Sequence, residues 1–150
     1  MRCTAILGLA AVFAACSKAD APPAADTAAA MPEAAATVSL ASFNGTWDVN
    51  VMPEGSDSVA TTHILHATDT AWHIEFPDRQ GAAVRVIGMS GDTVRTEAGP
   101  FESGVRRGVQ VRTTNAYWLQ DGKIVGKTTA RYETKGSDTL RLFHSVGTKR

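Results

Sequence analysis

From residue 43 onward, apolar and polar side chains alternate with a period of two, and this alternation constrains the fold more than any other feature of the chain. It runs through short segments rich in valine, isoleucine, threonine and aromatic residues, which favour strands. We predict strands at Thr46–Met52, Val59–Ala67, Ala71–Phe76, Ala83–Ser90, Thr93–Ala98, Val109–Gln120, Lys123–Thr134 and Thr139–Val146. No helical stretch separates these segments, so consecutive strands should pair antiparallel as a meander.

Turn-forming residues between the segments support the same interpretation. Asp121-Gly122 and Gly91-Asp92 have the composition of two-residue hairpin turns. The longest irregular connection is predicted at residues 99–108.

The alternation also predicts which side of each strand faces inward. Trp47, Val49 and Val51 share one face of the first strand, and Leu140 and Leu142 are expected to share the apolar face of the last. One apolar and one charged face on nearly every strand predicts a sheet curled around a single core. The bulky residues lie on the face expected to point inward, whereas a membrane-spanning barrel carries an apolar outer band. A water-soluble domain, either a closed barrel or a two-sheet β-sandwich, fits this pattern.

The tetrapeptide Asn-Gly-Thr-Trp at residues 44–47 contains a Gly-x-Trp motif that resembles the opening of lipocalin-like and streptavidin-like β-barrels. The resemblance consists of this three-residue motif and of the number of strands predicted over residues 43–150. It implies a closed, antiparallel up-and-down barrel of about eight strands, with Trp47 closing one end beneath a late arginine. Arg131 and Arg141 are the candidates for that arginine. We therefore favour the lipocalin-like barrel over the sandwich.

The first residues of the chain have the features of a signal peptide. Arg2 precedes an apolar run over residues 5–15, which is too short to cross a bilayer core of roughly 30 Å and suits a signal-peptide h-region. Two alanines then lead directly into Cys16, with Phe13 standing where leucine is commonest. This arrangement resembles the lipobox of bacterial lipoproteins.

The lipobox resemblance implies cleavage before Cys16, a diacylglyceryl group on its thiol, and stable attachment to a membrane through two or three acyl chains. Ser17 after the cysteine implies passage to the outer membrane, facing the periplasm. The alternative is an ordinary secretory signal that leaves Cys16 as a free thiol. We expect a signal peptide at residues 1–15, the lipidated cysteine with a disordered Ala/Pro-rich tether at 16–38, and the β-barrel domain at 39–150.

Composition argues against several classes of function. Lys and Arg total 15 and Asp and Glu total 15, so no net charge favours nucleic acid. Both cysteines lie within the first sixteen residues, so the mature domain should carry no disulfide and no catalytic thiol. His63 and His66 are three apart and should point to opposite faces of a strand, which disfavours a metal site. We expect no cofactor and see no catalytic constellation, so an enzyme is disfavoured.

Polar and aromatic residues predicted to face the barrel interior suggest a site for a small apolar ligand. The candidates are Trp47, Trp72, Thr96, Thr113, Asn115 and Thr128. The alternative is that the polar members hydrogen-bond one another, as buried polar groups generally do, or lie where strands bend.

The predicted connection at residues 99–108 suggests a second hypothesis. Phe101, Glu102, Arg106 and Arg107 lie there, and the two adjacent guanidinium groups are suited to clamping an anion or a partner carboxylate. The simpler interpretation is a solvated connection. The sequence thus supports a cell-envelope lipoprotein that binds a small apolar ligand, or alternatively a non-catalytic envelope module that contacts another protein or the cell wall.

We predict that Cys16→Ala leaves the protein uncleaved or releases it from the membrane fraction, because the thiol carries the anchor. Cys3→Ala serves as the control, since Cys3 should leave with the signal peptide. Cell fractionation and mass spectrometry of the mature protein measure both effects. A Cys16→Ala protein that still matures and sediments with outer membranes would contradict the lipobox interpretation.

Overall fold

The computed structural model describes residues 38–136 and 139–150. The predictions for residues 1–37, including the signal peptide, lipidation of Cys16 and most of the tether, lie outside the described residues. Within residues 38–136 and 139–150, no helix combines the length and the hydropathy that a membrane span requires.

A short 3-10 helix, Leu40–Phe43, precedes eight strands that pair in sequence order and close into a barrel. The strands are β1 (Gly45–Pro53), β2 (Thr61–Ala67), β3 (Trp72–Glu75), β4 (Ala82–Ser90), β5 (Thr93–Glu102), β6 (Gln110–Gln120), β7 (Lys123–Tyr132) and β8 (Leu140–Lys149). Every neighbouring pair is antiparallel, and β1 pairs with β8 to close the sheet. The predicted all-β, up-and-down barrel is confirmed, and the sandwich alternative is wrong.

Two hairpin turns lie at the positions that the sequence predicts. Asp121 and Gly122 join β6 to β7 with positive φ angles of 51° and 72°, the conformation of a type I′ turn. Gly91, with φ 60°, begins the two-residue turn between β4 and β5. These tight turns pin the register of the strands they connect.

Aromatic residues fill one end of the barrel, and we call this end the plug. Phe43, at the end of the 3-10 helix, is fully buried, and its carbonyl oxygen accepts a hydrogen bond of 2.9 Å from Trp47 Nε1. The Phe43 ring lies 5.8 Å from that of Trp72, which in turn lies 6.0 Å from the ring of Tyr117. The short helix therefore seals the end at which the chain enters the barrel.

The cation over Trp47 is a lysine, so the expectation of an arginine is wrong. Lys149 Nζ lies 5.4 Å from the centre of a Trp47 ring, near the end of β8. Arg131 is exposed on the outer face of β7, and Arg141 is close to the start of β8, far along the strand from Lys149. Closure of the barrel, rather than any local motif, selects the residue that reaches the tryptophan.

The expected inward face of the last strand is also wrong. Leu140 and Leu142 are 48% and 49% exposed, whereas Phe143, Ser145 and Gly147 point inward and are buried. The reason is the register of β8 against β1 and β7, which turns Phe143 rather than Leu142 toward the interior. A Cβ on Gly147 would clash with side chains from both neighbouring strands. At that end of the strand the inward position is therefore a glycine, whereas both leucines lie on the outer face near the other end.

The fifth strand is longer than predicted. β5 continues past Ala98 to Glu102, with a register irregularity between Ala98 and Phe101. The predicted irregular connection at residues 99–108 is therefore wrong at its start, because its first part pairs with β6. The link that remains, residues 103–109, is called the 103–109 loop below.

Gly126 provides a test of interior packing. Its Cβ position is occupied by the Tyr117 ring and lies 2.9 Å from Ser145 Oγ, so Gly126→Ala should lower the free energy of unfolding by about 1–3 kcal/mol. Gly88→Ala is the control, since no heavy atom lies within 4 Å of a Cβ there. Urea unfolding measures both, and equal losses for the two variants would contradict this packing.

Candidate functional site

A cavity of about 70 Å³ lies in the half of the barrel away from the plug. Its wall is mainly apolar and includes the rings of Phe76, Phe101, Tyr132 and Phe143. The 103–109 loop borders it through Gly104 and Val105, and Val105 is 39% exposed. The cavity therefore lies beneath a surface loop at the open end of the barrel.

A network of hydrogen-bonded side chains borders the cavity. Asn115 Nδ2 donates to Thr96 Oγ1 at 3.1 Å and to Thr113 Oγ1 at 3.4 Å. Thr128 Oγ1 donates to Asn115 Oδ1 at 2.8 Å. Both N–H groups and the oxygen of the amide thus have partners within the protein. The four predicted interior polar residues come together, and the alternative expectation, that they hydrogen-bond one another, describes these contacts.

The other two ligand-site candidates lie elsewhere. Trp47 and Trp72 belong to the plug, and neither borders the cavity. Trp72 Nε1 donates a hydrogen bond of 2.9 Å to the carbonyl oxygen of Thr68. Among the network residues, Thr113, Asn115 and Thr128 border the cavity, whereas Thr96 does not.

His63 is a cavity residue that the sequence analysis did not select as a site residue. Its side chain points inward from β2, is 8% exposed and meets the Phe76 ring edge-on with ring centres 6.0 Å apart. Its Nε2 atom is buried and has no hydrogen-bond partner. Burial lowers the pKa of His63 to about 4, so the imidazole is neutral at pH 7. Its inward position in an alternating strand was the sequence signal that would have identified it.

Two arginines stack against the outer part of the cavity wall. The Arg79 guanidinium carbon lies 4.7 Å from the centre of the Phe76 ring, and that of Arg106 lies 4.4 Å from the centre of the Tyr132 ring. Among the described residues, no Asp, Glu, Lys or Arg side chain lines the cavity itself. The interior of the cavity is therefore uncharged.

The residues proposed for partner binding do not form one surface. Phe101 points into the cavity wall, with its ring 5.3 Å from that of Phe76. Glu102 Oε1 accepts a hydrogen bond of 2.9 Å from the backbone N–H of Gly108. The Arg106 guanidinium stacks on the Tyr132 ring, and Arg107 is exposed. Glu102 and Arg106 thus hold the loop to the barrel.

The loop is also held by a buried serine. Ser103 Oγ accepts hydrogen bonds from the backbone N–H groups of Val105 and Arg106, at 3.1 and 3.0 Å. The Ser103 N–H donates to the carbonyl oxygen of Val109 at 2.9 Å. The loop therefore has a defined conformation over the cavity.

In the part of the chain that the structure describes, no three His, Cys, Asp or Glu side chains come close enough together to hold a metal ion.

Comparison with known proteins gives no match to a protein-family model, a curated protein or a solved structure. The function is therefore argued from the cavity.

The pKa of His63 predicts how acid affects stability. Since the pKa is about 4 in the folded state and near 6.5 ordinarily, the unfolded chain takes up a proton first as the pH falls. The free energy of unfolding should therefore decrease by about 3 kcal/mol between pH 6.5 and pH 4 on account of this residue. Urea unfolding across this range measures the loss.

His63→Leu should remove that part of the acid sensitivity, because leucine does not titrate. His73→Gln is the matched control on the neighbouring strand, where the side chain is exposed. An unchanged loss between pH 6.5 and pH 4 in His63→Leu would show that burial of His63 is not its cause.

Proposed function

We propose that the protein is a membrane-anchored cell-envelope lipoprotein whose barrel binds a small, largely apolar ligand in the cavity beneath the 103–109 loop. The observation that carries the binding proposal is the cavity itself. Protein interiors are packed with few voids larger than a water molecule. A space of about 70 Å³ exceeds the roughly 10–15 Å³ that one water needs. Its mainly apolar wall is better suited to an organic molecule than to several waters, each of which needs polar partners.

The size of the cavity limits the ligand. An engineered cavity of about 150 Å³ in another protein binds benzene. At about 70 Å³, this cavity is suited to a ligand of only a few non-hydrogen atoms. A larger ligand would require the 103–109 loop to move away from the barrel.

The end of the barrel at which the chain enters indicates the side from which a ligand would reach the cavity. The described chain reaches β1 through the 3-10 helix at the plug, whereas the cavity borders the opposite loops. In the proposed lipoprotein, the tether therefore joins the barrel at the end farther from the cavity. This arrangement favours a ligand that arrives from the aqueous periplasm.

Native mass spectrometry of the full chain, extracted in detergent, tests the binding proposal. We expect a reproducible additional mass on the wild-type protein. Ala130→Val should abolish it, because Ala130 is buried and lines the cavity, and the two added methyl groups would occupy the ligand space. Ala83→Val, the same change at an exposed position of β4, should retain it.

Absence of any additional mass across several preparations would count against a resident ligand. An adduct that persists undiminished in Ala130→Val would place the bound molecule outside the cavity. Either result would overturn the proposed site.

A further inference from the structure

We propose that the cavity selects a small uncharged molecule with an apolar body and one hydrogen-bonding group, such as a short-chain amide or alcohol, and that His63 determines this specificity. This inference rests on the proposed function, since it concerns the ligand of the same cavity.

The absence of charge in the described wall excludes ionic ligands. Transferring an ion from water into an apolar site is costly unless an opposite charge pairs with it. The nearest guanidinium groups, those of Arg79 and Arg106, stack on wall residues and do not line the cavity. A carboxylate or an ammonium group inside the cavity would therefore lack a counter-charge.

The hydrogen bonds of the wall identify the group that a ligand can engage. The amide of Asn115 is committed to its three threonine partners. His63 Nε2, by contrast, is buried without a partner, and such an atom is destabilising until something pairs with it. Because Nε2 is closed off in this conformation, the His63 ring has to turn toward the cavity that it lines before a ligand can reach the atom. A ligand that then supplies the missing partner gains binding free energy that a purely apolar ligand does not.

The neutral imidazole limits the chemistry of that partner. It offers one N–H donor and one acceptor nitrogen, so either a donor or an acceptor on the ligand can pair with it. Burial also raises the pKa of the Tyr117 phenol, which lines the same cavity and stays protonated. The polar groups of the wall are thus uncharged at neutral pH, and the matching ligand group is an amide, a hydroxyl or a carbonyl.

Three small probes separate the contributions of a hydrogen-bonding group, a charge and apolar contact to ligand binding. Propionamide carries an uncharged hydrogen-bonding group, propionate carries a charge, and xenon carries neither. Their binding to the full chain in detergent is measured by NMR titration of cavity-lining amides such as those of Thr128 and Ala130. We expect propionamide to bind the wild-type protein at least about a hundredfold more tightly than propionate at pH 7, because the carboxylate must lose its hydration or take up a proton to enter. Xenon should bind measurably.

The variant His63→Leu tests the role of the imidazole. It should weaken propionamide binding about fivefold to tenfold, in line with the loss of one hydrogen bond, and should leave xenon binding unchanged. Xenon binding also reports that the variant is folded with its cavity intact. Thr62→Val, at the exposed neighbouring position of β2, is the control and should bind all probes as the wild type does.

The outcomes distinguish this inference from the proposed function. If xenon and propionamide bind but His63→Leu changes neither, the role of His63 is overturned and the cavity remains a binding site. If propionate binds at least as tightly as propionamide, the uncharged ligand class is wrong. If no probe binds the wild-type protein, the proposed binding function fails, and this inference fails with it.

Discussion

The pairing of β1 with β8 is the interaction on which the rest of the structure depends. It joins the two ends of the domain, from Trp47 opposite Lys149 to Pro53 opposite Phe143, and leaves the sheet without an open edge. Closure also brings Arg150 to Asp48, where hydrogen bonds of 2.7 to 3.0 Å hold the pKa of the carboxyl below its ordinary value. No disulfide is found among the described residues, which contain no cysteine, so this pairing and the core behind it hold the barrel closed.

Closure determines what the interior can hold, because an eight-stranded barrel is just wide enough to be filled by side chains or to contain one small ligand. This barrel does both in different halves. Phe43, Trp47 and Trp72 fill the plugged half with aromatic rings, and Tyr117 lies between this half and the cavity. In the other half, smaller side chains such as Ala130 and Thr128 leave the cavity under the 103–109 loop. Aromatic rings thus close one half, whereas in the other half the rings of Phe76, Phe101, Tyr132 and Phe143 surround a space that the small side chains leave open.

Two kinds of buried polar group meet in the open half, and they have different consequences. The network centred on Asn115 satisfies its own hydrogen bonds and so stabilises the sheet from inside. His63 Nε2 has no such partner. A satisfied network needs no ligand, whereas an unpaired imidazole next to an empty space gains from one. This contrast is the physical reason that we propose recognition of a small uncharged molecule in the cavity.

The number of strands, their antiparallel order and the inward faces of most of them can be predicted from the sequence. Period-two alternation and turn residues such as Asp121-Gly122 act between near neighbours, so they can be read locally. Only the closed barrel shows that Phe143 rather than Leu142 faces inward, that Lys149 covers Trp47, and that His63 borders a cavity. Each of these depends on which side chains meet across the closed barrel and how much space they leave, and no local pattern in the chain encodes those distances.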